Sequence, residues 1–542
     1  MLLNVKGDIS NTKEINYWED ENYSIWWEGL IFIPGILSGR DSIEYFIDLV
    51  NNRNLSFATD ALSGSFSCIL FDKKKNKYYA FTDNSRCSNI YYNNKCISTS
   101  FIDLIKYSLP TKDDLDFSSI IEFLITGHIF SNSTFFNNIK NIKANEILVI
   151  NSKGISKKLK KLEDIYEKEM SINDFLKEMR KIAFSLKNKK ISIDLTGGID
   201  SRLLILIFQN IGLQFETAIS GCCGHPDVNI SKKVSKILGL QHHVTYHKVN
   251  SKNLFEELKE TFIFYDGLTD IIERHKLYQF FKDRKSRGIE VSISGGGGEL
   301  YKDAGWWRVA AKTIFKRNWK NIIINNLVYS GLIGWGFDPK LSCFLFSNKF
   351  KSICLNYKNN LYSRILNEYC YNYNSRFKMA DKIFYEYSVR SPRYVVGKKS
   401  ILYSPLLERK IVPYGISMHW KDRFLARNYR KIITKLNKPI ARINTTKANT
   451  SVSSEFGYII SDIIKHFNQL ILIKMRRNKK MLNFDDRIYA IAKQIVKNNK
   501  YIDCLKNIDL LDHNLKIVDI PNKYIGRIIT LGMLVQLILM EE

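Results

Sequence analysis

Nine cysteines in 542 residues are too sparse and too scattered for a disulfide framework, and no Cys-x-x-Cys pair occurs. Cys68, Cys87, Cys96, Cys222, Cys223, Cys343, Cys354, Cys370 and Cys504 therefore read as reduced, mostly core residues, which argues against a zinc site. The one local histidine group, His242, His243 and His247, has no carboxylate or thiol at ligand spacing and reads as a polar strand end. Long apolar runs are also missing. The last one, "IITLGMLVQLILM" from Ile528 to Met540, falls short of the ~18–20 residues that span a bilayer and predicts a buried helix. The opening "MLLNVKGDIS" meets Lys6 and Asp8 before any apolar stretch develops, so no signal peptide is expected and the location predicted is cytoplasmic.

Acidic charge is short as well, with 54 Asp and Glu against 82 Lys and Arg and a net charge of +28. Such a field suits an anionic partner. Lysine is spread through the chain with Asn, Ile and Tyr, and only "KMRRNKK" (Lys474 to Lys480) is a dense cluster, which favours a small anion such as a nucleotide over a nucleic acid. A chain of this length with 45% hydrophobic residues can bury two or three cores.

From Trp26 to Tyr92 short alternating strands surround one amphipathic helix between Asp41 and Asn52, and "LSGSFSCILFDKKKNKYYAFTD" reads as a hairpin with a lysine-rich turn. Between Phe123 and Gly154 a helix ends at Gly127 and a final hairpin follows. Charged, weakly patterned residues from Lys157 to Asn173 read as a linker. Beyond it "SIDL", "FETAIS", "HHVTYHKV" and "EVSIS" alternate with helical segments such as "NISKKVSKILGL", as a parallel, doubly wound sheet requires. After about Lys312 nearly everything reads as helix.

The chemistry is concentrated in "KKISIDLTGGIDSRLLILIF", Lys189 to Phe208. A strand that enters a Gly-Gly bend and opens a helix offers free N–H groups and the positive end of a helix dipole, which favour phosphate. Gly197 and Gly198 permit close approach, and Thr196 and Ser201 add hydroxyls. Asp200 favours an anion only through a cation, so Mg²⁺ is implied. No Gly-Lys-Ser/Thr follows, which excludes the Walker pattern.

The ordered set "DLTGGIDSR", "HPDVNISKKVSKILGLQHHV", "FYDGLTDI", "SISGGGGELY" and "YSPLLERK" resembles the synthetase domain of asparagine synthetases. "LSGSFSCILFDKKKNKYYAFTDNS" and "LITGHIFSNSTFFNNIKNIKANEILVI" resemble that family's N-terminal glutaminase domain. The resemblance covers about residues 25–460 and implies an α/β chain in three parts. Residues 1–156 would form a degenerate glutaminase domain of Ntn-hydrolase-like αββα type. Residues 170–455 would form a doubly wound parallel-sheet ATP-pyrophosphatase domain with a helical lobe, and 456–542 a helical extension. It implies ATP and Mg²⁺ as cofactors. Thr196, Gly197, Gly198, Asp200 and Ser201 would hold pyrophosphate and metal, and Leu195, Ile219, Ser294 and Gly295 would line the nucleoside. Lys447 falls where the family places its transition-state lysine.

Three departures matter. The family's glutaminase nucleophile is a cysteine exposed by removal of Met1; here that residue is Leu2 and no cysteine precedes Cys68, as in beta-lactam synthetases and lasso-peptide cyclases, which lack that function. In the later loop, with one gap, Gly296 and Gly298 stand where the family has Glu and Asp, leaving Glu299 as the surviving carboxylate for metal or amine. Arg202 replaces the family's second Ser and adds a planar donor beside the phosphates or the acceptor carboxylate. The reading is thus an ATP-dependent amide-forming ligase acting on a small-molecule or peptide carboxylate, such as a sugar uronate or a peptide being cyclised. Lys447, Glu299 and Arg202 would be catalytic, Asp200 and Glu299 would be on the metal, and a homodimer or a biosynthetic partner protein would fit. Two alternatives stand beside it: an impaired nucleotide-binding or assembly subunit, and adenylation or thiolation of nucleic acid using Cys222 and Cys223.

Overall fold

The computed structural model describes residues 2–4, 9–10, 15–85, 87–130, 132–246, 253–303, 310–329, 343–369, 375–389, 401–446, 448–464 and 484–539. Its first eleven strands are β1 (Leu2–Asn4), β2 (Ile9–Ser10), β3 (Asn16–Glu19), β4 (Tyr23–Phe32), β5 (Ser63–Asp72), β6 (Lys77–Thr82), β7 (Tyr91–Tyr92), β8 (Cys96–Ser98), β9 (Lys140–Asn141), β10 (Glu146–Asn151) and β11 (Gly154–Leu159). They form two antiparallel sheets, β11-β10-β6-β5-β4-β3 and β2-β1-β8-β7-β9.

Period-two alternation sorts the faces. Cys68 and Leu70 of β5 point to Ile43, Phe46, Ile47 and Ala58 on the helices Arg40–Asn52 and Leu55–Ala61. Ile69 between them turns the other way, with Ala80, Leu148 and Ile150, to meet Leu3 and Ile97 of the second sheet. That sheet's outer face, with Tyr91 and Cys96, is covered by the helices Phe101–Ser108 and Phe117–Thr126. The layers run helix, sheet, sheet, helix. The β5–β6 hairpin, the helix ending at left-handed Gly127 and the β10–β11 hairpin all stand where the sequence predicts them. The helix Leu55–Ala61 was not foreseen: it is two turns long and opens on an Asn54 cap that accepts from the N–H of Phe57.

Two glycines let β4 and β5 pair over their full length. Gly29 has φ +91° and Gly64 φ +117°, and a Cβ on either would lie 2.2 Å from Ser65 O or 2.1 Å from Leu30 O on the opposite strand. The stretch expected as a linker is partly packed. It carries the end of β11, buries Ile165 and Tyr166, and sends Lys160 Nζ to Thr82 O at 2.6 Å and Asn84 Oδ1 at 3.0 Å.

The second region holds a parallel sheet of β12 (Ile191–Asp194), β13 (Glu216–Gly221), β14 (His242–Tyr246), β15 (Val291–Ile293) and β16 (Ile401–Tyr403), in the order β14-β13-β12-β15-β16. The chain steps outward from β12 to β13 and β14, then returns to the other side of β12 as β15. Strand order therefore reverses between β12 and β15, and the carboxyl ends of these two strands open onto a crevice of the kind in which doubly wound sheets bind ligands. β16 is a strand in the stretch beyond about Lys312 where nearly everything was expected to be helix: three residues give no alternation to read, and they become a strand by pairing with β15, Ile401 opposite Val291.

The C-terminal apolar run, as far as Leu539, lies in the helix Asn522–Leu539, with Ile525, Ile528, Ile529, Leu534 and Val535 buried. It packs on the helices Ile271–Ser286 and Phe117–Thr126. Arg527 bonds Leu124 O at 2.8 Å and Ile125 O at 2.7 Å and pairs with buried Asp270 at 3.4 Å. Among the described residues no helix is long and apolar enough to cross a membrane.

Candidate functional site

Fully buried Leu195 follows β12, the chain turns through Thr196, Gly197 and Gly198, and the helix Asp200–Ile211 begins. The turn is held from inside. Thr196 N–H donates to Ser201 Oγ at 3.1 Å, the two hydroxyl oxygens lie 3.2 Å apart, and Gly198 N–H donates to Thr196 Oγ1 at 3.2 Å. Gly197 N–H donates to Asp227 Oδ1 at 3.0 Å, from the first turn of the helix Pro226–Leu238. A Cβ on Gly197 would lie 2.3 Å from Thr446 Cγ2 and 2.6 Å from Asp227 Oδ1, so the turn requires glycine there.

Arg202 braces this turn. Its guanidinium is fully buried and donates to Gly197 O at 3.2 Å, Ile443 O at 2.9 Å and Asn444 O at 2.6 Å, tying the 443–446 segment to the glycine turn. Thr446 N–H adds a fourth tie, to Gly197 O at 3.2 Å. Burial pulls the Arg202 ionisation down to about 10. The expected phosphate-facing donor thus spends both terminal nitrogens on backbone carbonyls.

The second loop, Ser294 to Gly298, leaves β15 and packs directly on the first turn of the Asp200 helix. A Cβ on Gly298 would sit 2.6 Å from both Cγ and Oδ1 of Asp200, and one on Gly295 3.2 Å from Ser201 N. Ser294 N–H donates to Tyr403 O at 3.0 Å and its Oγ accepts from Gly296 N–H at 3.2 Å. Glycine at 298 is what allows the loop to lie over the carboxylate.

Asp200 has a protein cation on one side. Lys302 Nζ stands 2.5 Å from Asp200 Oδ2, with the two side chains 15% and 20% exposed. Burial works against the Lys302 charge, but Asp200, Glu299 and Asp303 together hold its ionisation above the ordinary lysine range. Among the described residues the other oxygen, Asp200 Oδ1, is buried without a hydrogen-bond partner, and so is the Tyr429 hydroxyl. Burial, Asp200, Tyr301 and Glu299 push the Tyr429 ionisation far up, so it stays a neutral donor. Among the described residues no three His, Cys, Asp or Glu side chains gather as a metal-binding group. One orphan carboxylate oxygen fits Mg²⁺ only of the kind that takes most of its remaining ligands from phosphates and water.

The structure brings Thr196, Gly197, Gly198, Asp200, Ser201, Ser294, Gly295 and Glu299 to the crevice between the ends of β12 and β15. Leu195 directly follows β12 and Ile219 lies within the neighbouring β13, both with side chains buried, and Lys447 and His247 lie outside the described residues. Lys302, Asp227, Thr446 and Tyr429 were missed. Asp227 in a first helical turn looks like any dipole-compensating acid, and Lys302 is one lysine among many until the fold sets it on Asp200. The strand-end histidine reading holds for His242, whose ring lies between Thr217 Oγ1 at 2.9 Å and Ser231 Oγ at 3.0 Å, and whose ionisation is lowered to about 4, chiefly by burial. Cys222 and Cys223 are free and exposed just past β13.

Residues 185–333 match the asparagine synthase family. The match spans the glycine turn, β12 to β15 and the Ser294–Lys302 loop, and it supports an ATP-dependent amide-bond ligase of asparagine synthetase type. No curated protein matches the chain.

Proposed function

We propose that the chain adenylates a substrate carboxylate with ATP, releases pyrophosphate, and passes the acyl group to an amine or ammonia. The observation that carries this reading is the meeting of two glycine loops over Asp200 at the reversal point of the parallel sheet. In this reading the sheet region is an ATP-pyrophosphatase domain, and the layered N-terminal region is an Ntn-hydrolase-like domain that has lost glutaminase activity, because Leu2 replaces the nucleophile.

The chain's own residues divide the work. The helix N-terminus with the Thr196 and Ser201 hydroxyls attracts the phosphates, and the backbone of Ser294 and Gly295 flanks the nucleoside beside Leu195 and Ile219. Asp200, with Glu299 nearby, would hold Mg²⁺, which when bound neutralises phosphate charge. Arg202 acts by positioning the glycine turn. Lys447 remains the proposed cation for the transition state. The substrate is a small-molecule or peptide carboxylate.

The test is exchange of labelled pyrophosphate into ATP with Mg²⁺ and candidate carboxylates. Asp200→Asn abolishes it in this account; undiminished exchange removes Asp200 from the mechanism. Glutamine yields no glutamate with the purified chain, and its release would contradict the Leu2 reading. The impaired nucleotide-binding or assembly subunit stays as a second reading because Lys302 already occupies one oxygen of Asp200. That reading predicts ATP binding without exchange for any carboxylate.

A further inference from the structure

We propose that Lys302 and a divalent cation compete for the Asp200 carboxylate, so that Lys302 guards the metal position and moves to the phosphates when a nucleotide brings its own cation. The nucleotide half of this inference rests on the function proposed above; the competition itself does not.

Four observations carry it. Lys302 Nζ is 2.5 Å from Asp200 Oδ2, in a pair with little solvent access. Asp200 Oδ1, on the same carboxylate, is buried and has no hydrogen-bond partner among the described residues, so the lysine satisfies half of the group and the other half remains without a cation. Glu299 and Asp303 flank Lys302 closely in the chain, at three residues before it and one after, so the lysine sits in an acidic stretch. Finally, the loop lies so close over Asp200 that even a methyl group at Gly298 would meet the carboxylate at 2.6 Å. No side chain from that loop position can share the carboxylate, and Lys302, four residues on, is the cation the loop delivers.

An ammonium on a four-carbon stem is a compact and movable charge. A divalent cation arriving alone must displace it from a dry pair and gains few protein ligands, since among the described residues no three His, Cys, Asp or Glu side chains gather as a metal-binding group. A cation arriving on phosphates brings most of its ligands with it, and the phosphates offer the displaced ammonium a new anion about as good as the one it leaves. Metal binding thereby becomes conditional on nucleotide, and Lys302 becomes a phosphate-contacting residue with no equivalent among the residues read from the sequence.

The experiment is Mn²⁺ titration of the nucleotide-free full chain followed by electron paramagnetic resonance. The parent binds Mn²⁺ weakly at this position, Lys302→Met binds it at least tenfold more tightly, and adding Asp200→Asn to Lys302→Met removes the gain. Equal Mn²⁺ affinity in the parent and Lys302→Met overturns the competition. Lys302→Gln, which keeps a donor for Asp200, gives the same comparison if Lys302→Met does not fold. Calorimetry with a non-hydrolysable ATP analogue at saturating Mg²⁺ supplies the second readout: removal of Lys302 lowers affinity at least tenfold, and unchanged affinity overturns its transfer to phosphate. A parent chain that binds no analogue while the Mn²⁺ contrast holds refutes the proposed function and leaves the competition standing.

Discussion

Glu408 gives the structure a pH dependence of predictable sign. It is 4% exposed, follows β16, and accepts the N–H of Gly64 in β5 at 2.7 Å, which makes it a bolt between the parallel-sheet region and the antiparallel sheets. Burial first, and then the nearby carboxylate of Asp83, raise its ionisation from 4.5 to about 7, while the Gly64 bond, Lys410 and Ser63 pull the other way. Below pH 4.5 the group is protonated in both the folded and the unfolded chain. Between 4.5 and about 7 the folded chain keeps a proton that the unfolded chain has released, so stability falls as pH rises through this window and the loss is complete above it. A displacement of that size is worth about 3 kcal/mol. Glu408→Gln keeps an oxygen for Gly64 N–H and cannot ionise, so it should be more stable than the parent at pH 8.5 by up to about 3 kcal/mol, or about 6–12 °C for a cooperative unit of 150–250 residues. At pH 5 the gain should shrink to about 1 kcal/mol, and at pH 3.5 it should vanish. Thermal unfolding of both proteins across that range decides it, and a difference that does not change with pH would show that Glu408 is ionised throughout.

Restoring a carboxylate to the glycine loop should harm the chain. Gly298→Asp places a side chain 2.6 Å from the Asp200 carboxylate, adding about 1–3 kcal/mol of overpacking and about 4 kcal/mol of like-charge repulsion at ~4 Å, so its melting temperature should fall below that of Gly298→Ala, itself below the parent. Arg202→Met removes three bonds to carbonyls, so it should cost about 2–4 kcal/mol and speed hydrogen exchange at residues 443–446; unchanged exchange there would deny the brace.

The helix-opening glycine turn was legible because its two glycines, its hydroxyls and Asp200 are contiguous, and chain-local geometry alone brings them together. The strands β12 to β15 were legible for a similar reason, each being a short run with β-branched residues between helical segments. What escaped depends on distant pairing. β16 becomes a strand only beside β15, and Lys302 gains meaning only from Asp200, a hundred residues earlier. Arg202 was read as a phosphate donor because its neighbours are phosphate ligands, whereas the carbonyls that occupy it come from Ile443 and Asn444, which no spacing rule connects to it. Gly298 looked like a lost carboxylate. In the fold it is the contact that seats one loop on the other.

The claim on which the account turns is that a nucleotide occupies the crevice between the ends of β12 and β15. Hydrogen–deuterium exchange of the full chain, with and without a non-hydrolysable ATP analogue and Mg²⁺, tests it most directly. The account predicts slower exchange in residues 195–201 and 294–302 together, with the antiparallel sheets unchanged. Binding of the analogue that leaves both stretches unprotected, or no binding at all, would contradict it.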